Sequence, residues 1–164
     1  MSEPAATPPD DAKAYRHALG AFATGVCVVT ADTPSGPVGI TVNSFTSVSL
    51  NPRLVLWCLD DGSERAPLFA AANRFVIQVL AAEQRDLAAR FAKGHWALGE
   101  AEVRRVGDMP RLPASLAWFA CETERQAQAG DHLIIIGRVV DFDVDDGAAL
   151  TFHRGHFGAI GSHA

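Results

Sequence analysis

The chain has 164 residues, 48% hydrophobic and 20% charged, which fits one domain with a real core and leaves no room for two nucleotide folds. Its formal net charge of -5 gives no basic footprint for nucleic acid. No apolar run approaches the roughly 20 residues of a membrane span, and the polar start lacks the pattern of a secretory signal, so no membrane contact and a cytoplasmic location are expected.

Residues 1–9 include Pro4, Pro8 and Pro9 and read as a mobile arm, leaving 10–164 as a single domain. Asp10 or Asp11 caps a helix through Ala14, Tyr15, Ala18, Leu19 and Phe22, whose spacing predicts that it plugs or covers a sheet. Val26 to Ala31 and Val38 to Val42 are strands, joined into a hairpin by the Pro/Gly-rich Thr33–Pro37 turn. Asn51-Pro52 leads to Arg53–Leu59, apolar enough for burial on both faces. Asp60 to Arg65 opens a short helix, Glu64 to Ala72, with Ser63 as its N-cap. A helix start with Ser63 and Arg65 beside it is either a simple capped helix or a seat for phosphate.

Arg74–Leu80 is a strand, Glu83–Ala92 a helix stopped at Gly94, and His95–Pro113 a long loop lying over a site. Leu116–Thr123 and Asp131–Asp141 are strands joined through Gln126–Gly130, and Gly137 permits a bend or a close approach. Leu150–Gly158 is a short strand and turn containing His153, Arg154, Gly155 and His156. Six to eight strands without β-α-β alternation predict a mainly β, antiparallel barrel with an N-terminal helix and two internal helices. Neither a Rossmann nor a P-loop glycine motif is present. Cys27, Cys58 and Cys121 are far apart, without a C-x-x-C pair, and read as reduced thiols.

The stretch Gly39–Leu50 (GITVNSFTSVSL) departs from plain strand patterning. Thr41, Asn43, Ser44, Thr46, Ser47 and Ser49 interrupt every apolar face. Small hydroxylated residues let a ligand approach the main chain and leave amides free to read a flat polar heterocycle, so this segment is expected to grip a flavin. By itself His132 reads as a structural side chain. A metal site from His132, His153 and His156 lacks ligand spacing, and none is expected.

Several blocks in order resemble the short-chain flavin reductases, the NAD(P)H:flavin oxidoreductase components of two-component monooxygenases. They are Phe22-Ala23-Thr24-Gly25-Val26 with Val28-Val29-Thr30, the Gly39–Leu50 segment, and Phe75–Leu80 with Gln84, Leu87 and Phe91-Ala92. Gly130-Asp131-His132 and Arg154-Gly155 complete the series. The resemblance implies a split β-barrel homodimer that binds FMN or FAD noncovalently and exchangeably, uses NADH or NADPH, and supplies reduced flavin to a separate monooxygenase. It places Thr41, Val42, Asn43 and Ser44 beside the flavin ring and Ser47 near the ribityl chain. The phosphate falls on the segment containing Cys58, Leu59, Asp60, Ser63 and Arg65, and Phe91 and Ala92 close the pocket. His132 is implied as the catalytic residue near the nicotinamide, with Arg154, Gly155 and His156 beside it. Pro52-Arg53 stands where many relatives have paired prolines, and Phe152, His153 and His156 stand where many have tyrosines. Two other readings share these residues: a reductase serving ferric reduction or general flavin supply, and a flavin- or haem-binding split barrel without turnover.

Overall fold

The computed structural model describes residues 9–161. The expected mobile arm lies outside the described residues except for Pro9, which opens helix α1 (Pro9–Leu19). The strands are β1 (Thr24–Gly25), β2 (Cys27–Thr33), β3 (Gly36–Val42), β4 (Thr46–Leu50), β5 (Arg53–Asp60), β6 (Arg74–Val79), β7 (Arg104–Val106), β8 (Met109–Arg111), β9 (Ala117–Ala129), β10 (His132–Val144), β11 (Ala149–His153) and β12 (His156–Ile160). Helices α2 (Ala66–Ala70) and α3 (Arg85–Ala92) flank β6.

Seven strands form one sheet in the order β3-β2-β6-β9-β10-β5-β4, and every pairing in it is antiparallel. Its edge strands β3 and β4 are consecutive in the chain, joined by Asn43, Ser44 and Phe45 alone. Four Cα steps of about 3.8 Å reach about 15 Å, whereas the edges of a flat seven-stranded sheet would lie about 29 Å apart at a spacing of about 4.8 Å. The sheet must therefore roll round until its edges approach, and the Asn43–Phe45 link crosses the seam of a split barrel. Ser44 pins the crossing, because its Oγ accepts from Cys58 N at 2.9 Å on β5.

The barrel is filled by Trp57, which meets Phe69 and Phe75 edge-on at centroid distances of 5.6 and 6.0 Å, with Ile77, Ile135 and Val29 around them. A Cβ on Gly137 would stand 2.6 Å from the Phe75 ring and 3.0 Å from Cys121 Cβ, so the glycine admits these side chains. The pairing register shifts at the same place. Gln78 is fully buried and fully used: Nε2 donates to Val76 O at 2.7 Å and Val28 O at 2.9 Å, and Oε1 accepts from Leu112 N at 2.7 Å. It thereby ties the chain after β8 to the barrel.

Several expectations are corrected. α1 does not cover the sheet. Tyr15, Leu19 and Phe22 are 66%, 56% and 78% exposed, because the barrel interior is already filled by Trp57, Phe69 and Phe75. The β5 strand is buried on one face only, with Val55, Trp57 and Leu59 inside and Leu54, Leu56 and Cys58 half-buried. Within His95–Pro113 the chain makes a 3₁₀ turn at Glu100–Glu102 and the β7–β8 hairpin. β9 and β10 continue to a tight turn at Gly130-Asp131, since their pairing with each other holds even their polar ends extended. No helix among the described residues is long and apolar enough to cross a membrane.

Candidate active site

The seam of the barrel makes the site. β3 is an edge strand, and its outer side is taken up first by the segment after α3: Gly39 N donates to Trp96 O at 2.8 Å and Leu98 N donates to Pro37 O at 2.9 Å. In an antiparallel edge strand, outward-facing residues alternate. Gly39 faces outward, so Thr41 N–H and C=O, two residues on, face the same side. There they meet a cleft of about 190 Å³ lined by Ile40, Thr41, Val42, Asn43, Ser44, Cys58, Asp60 and His132.

The cleft is held from behind. Thr41 Oγ1 donates to Ala88 O of α3 at 2.6 Å, so this hydroxyl serves the scaffold and leaves the main chain for a ligand. Gly39 lies so close to α3 that a Cβ there would be 2.8 Å from two carbons of the Phe91 ring. His132 enters at the start of β10, opposite Asp60 in register. Its Nδ1 lies 2.7 Å from Asp131 Oδ1. The hydrogen bond from His132 first, and the charges of His132 and Arg16, hold the Asp131 carboxyl below its usual range. Asp131 is thereby kept as the acceptor that orients the imidazole.

Asp60 also borders a second hollow of about 290 Å³, lined by Asp60, Gly62, Ser63, Glu64, Arg65, Gly94 and Trp96. Asp60 Oδ1 accepts from Gly62 N at 2.8 Å, and Ser63 Oγ accepts from Arg65 N at 3.3 Å. α2 begins only at Ala66, has Arg65 at its N-cap position and carries no side-chain cap. Ser63 therefore shapes a turn rather than capping a helix, because Pro67 near the helix start delays its first turn. An anion here would meet turn amides and the Arg65 guanidinium. That guanidinium is anchored by Nη1, which donates to Gly39 O at 3.3 Å and to Phe91 O. Burial draws it below its ordinary pKa and Glu64 works the other way, and its remaining N–H groups are left to a ligand.

The structure thus brings Thr41, Val42, Asn43, Ser44, Cys58, Asp60 and His132 together, with Ser63 and Arg65 in the adjoining hollow. Leu59 and Phe91 turn their side chains into the core, at 1% and 0% exposure; Phe91 contributes its carbonyl. Ser47 is exposed on β4 and Ala92 is exposed at the end of α3. Arg154 and Gly155 form the two-residue turn between β11 and β12, with φ of 49° and 82°. Arg154 N donates to Gly20 O at 2.9 Å, so the turn docks on the end of α1, and His156 is exposed beside it. Among the described residues no cluster of His, Cys, Asp or Glu could hold a metal ion. Trp96 was not singled out by sequence reasoning, and Gly94 was read only as a helix stop. The one available signal was the glycine after the Glu83–Ala92 helix, which turns the chain back toward β3.

The donor set fits a flavin. Outward main-chain groups of an edge strand can read a heterocycle's polar edge, the small residues of the seam admit a flat ring, and a guanidinium lies one hollow away for a phosphate. Comparison with known proteins agrees. Residues 19–161 match the model of the flavin reductase like domain. The chain is 47% identical over 151 residues to the FMN reductase (NADH) SmoA of Agrobacterium fabrum, covering 91% of this chain and 86% of that one. Its fold superposes with a TM-score of 0.85 on BorF, the flavin reductase component of a bacterial two-component tryptophan halogenase, at 34% identity, covering 93% of this chain and 100% of that one. It also superposes with a TM-score of 0.80 on the Streptomyces globisporus NADH:FAD oxidoreductase SgcE6 in complex with NAD and FAD fragments, at 33% identity over 96% of each chain. A sequence matched along most of its length, on a fold shared with solved flavin reductases, identifies this chain as a member of the flavin reductase family.

Proposed function

We propose that this protein is an NAD(P)H:flavin oxidoreductase that binds FMN or FAD noncovalently and supplies reduced flavin to a separate monooxygenase component. The observation that carries the reading is a pair of neighbouring hollows that share Asp60, one lined by His132 and the Thr41–Ser44 edge and the other by Ser63 and Arg65. The flavin, when bound, supplies the hydride-accepting chemistry. The chain's own residues position and stabilise. Outward amides of β3 offer preorganised donors where negative charge develops on the acceptor. Asp131 accepts a hydrogen bond from His132 Nδ1–H and so orients the ring with Nε2 toward the cleft, where the neutral imidazole would accept from a carboxamide N–H such as that of nicotinamide. Arg65 and the Ser63 turn hold phosphate.

The test is anaerobic absorbance at the flavin band with purified protein, offering FMN or FAD and NADH or NADPH in turn. Rapid bleaching with one pair is expected. Flavin that binds but is never bleached would leave a binding module and sink the reductase reading.

A homodimer is part of the proposal. The bare edge strand β4 carries Val48 and Leu50 at 47% and 92% exposure, and Val140, Phe142 and Val144 of β10 are 40%, 50% and 69% exposed. Arg53 at the start of β5 lies 5.2 Å from the centroid of the Phe142 ring, which links the two groups of exposed residues. So much apolar surface on one small domain favours a second copy as its cover. Three unpaired thiols and the use of a nicotinamide donor suit the cytoplasm.

A further inference from the structure

A third hollow adjoins the one that holds Arg65. Gly94 and Trp96, which close the second hollow, also line this third one, of about 610 Å³, with Arg90, His95 and Ala97. A ligand ending in one phosphate would finish at Ser63 and Arg65, so the third hollow would stand beyond it. We propose that the third hollow receives the adenosine half of FAD, with Trp96 as the platform for the adenine ring, so that Trp96 sets the preference for FAD over FMN. This rests on the flavin reductase reading.

Three features argue for a flat, neutral occupant. Trp96 packs against the main core and lines both hollows, which suits a half-buried indole as a stacking surface. Its main chain is fixed, since its carbonyl accepts from Gly39 N at 2.8 Å and the neighbouring Ala97 pairs with Val38. Such a platform loses little freedom on binding. Arg90, the cation that lines the third hollow, is already committed: Nε donates to His95 O at 3.2 Å, Nη2 to Ala97 O at 3.0 Å, and Nη1 to Glu102 Oε1 at 2.7 Å. With its charge answered by Glu102, Arg90 offers a second phosphate little. The middle hollow points the same way. Its one cation, Arg65, faces Asp60 and Glu64 on the same walls, a setting better matched to a pyrophosphate, with one charge per phosphorus, than to a terminal phosphate dianion.

Adenosine also occurs in the nicotinamide donor, and the experiment separates the two sources. Dissociation constants for FMN and FAD are measured on the native protein, Trp96→Ala and Trp96→Phe, together with the KM for NADH using FMN as acceptor. Native protein is expected to bind FAD more tightly than FMN. Trp96→Ala should raise the FAD constant about 10-fold, the scale of one lost base stack, and the FMN constant by much less, since Trp96 also borders the phosphate hollow, with no comparable rise in the KM for NADH, while Trp96→Phe keeps most of the FAD affinity. On native protein, free adenosine should displace FAD and leave FMN bound, a result that needs no variant to fold. The proposal is overturned by equal weakening of both flavins, by an unaltered FAD constant, or by a rise in the KM for NADH with FAD binding intact, which would assign the hollow to the dinucleotide. If native protein binds neither flavin, the reductase reading falls too; if FMN binds and is reduced while Trp96→Ala changes nothing, only this inference fails.

Discussion

Gly39 is the point where the site strand, helix α3 and Arg65 meet, so Gly39→Ala tests the construction of the site directly. The added Cβ would sit 2.8 Å from Cδ1 and Cε1 of Phe91 and 3.3 Å from Cζ, against ordinary carbon contacts of about 3.5–4.0 Å. Phe91 is fully buried among Val26, Val28, Leu80 and Ala88 and has nowhere to retreat, so β3 or α3 must shift by several tenths of an ångström. Overpacking of this kind costs about 1–3 kcal/mol. For a domain of this size, each kcal/mol lowers Tm by about 2–4 °C. A shift of β3 or α3 would also move the Gly39 and Phe91 main-chain carbonyls that anchor Arg65, so flavin affinity should fall with stability. Thermal melting and flavin titration of Gly39→Ala, Phe91→Leu and the double variant make the assay. In the cycle, Phe91→Leu should relieve the added methyl, with a coupling of at least about 0.5 kcal/mol. A Gly39→Ala protein that melts with the native one, or additive single effects, would refute the argument that this glycine exists to admit Phe91.

Burial pushes the Cys27 and Cys121 thiols up to about 12 and raises Cys58 less, with the Ser44 hydrogen bond opposing. Thiol labelling of native protein at pH 8 should therefore modify Cys58 alone, slowly, and bound flavin should protect it; labelling of Cys27 or Cys121 at a similar rate would contradict the packing. The Asp131 carboxyl, ordinarily at 3.8, is lowered chiefly by its hydrogen bond from His132. The contribution of the pair is thus fully present above that ordinary value and is lost as pH falls through the lower folded one. A carboxyl NMR titration should give a midpoint below 3.8 that returns toward it in His132→Ala; a native midpoint at or above it would break the proposed dyad. His132→Ala should lower hydride transfer in stopped flow more than it lowers flavin affinity, and equal reduction rates would remove His132 from the mechanism. Gln78→Leu strands the buried Leu112 N–H and removes the amide donor to the carbonyls of Val28 and Val76, and should destabilise by about 1–3 kcal/mol in urea unfolding with flavin chemistry retained.

The strands from Cys27 to Val42, their Pro34-Ser35 turn and the strand and helix between Arg74 and Ala92 were legible locally, because alternation, β-branching and a glycine stop report directly on backbone state. The unusual chemistry of Thr41 to Ser44 was legible for the same reason: hydroxyls where packing wants methyls mark a segment chosen for something else. What the site contains beyond that segment is a property of closure. Nothing local to Asn43-Ser44-Phe45 says that it joins opposite edges of one sheet; the strand order decides this, and with it the meeting of Ser44 with Cys58 and of His132 with Thr41. Arg65 looked like a phosphate ligand at a helix start, yet its tertiary partners, the carbonyls of Gly39 and Phe91, lie 26 residues away in either direction. Phe91 was expected at the pocket wall and lies in the core, since a helical phenylalanine's direction depends on which face meets the barrel. Trp96 emerged only in three dimensions, placed by an edge-strand hydrogen bond to Gly39. Sequence determined which residues could speak to a flavin, through side-chain size and hydrogen-bonding character, and the rolling of the sheet decided which of them face one another, because that depends on pairings between strands far apart in the chain.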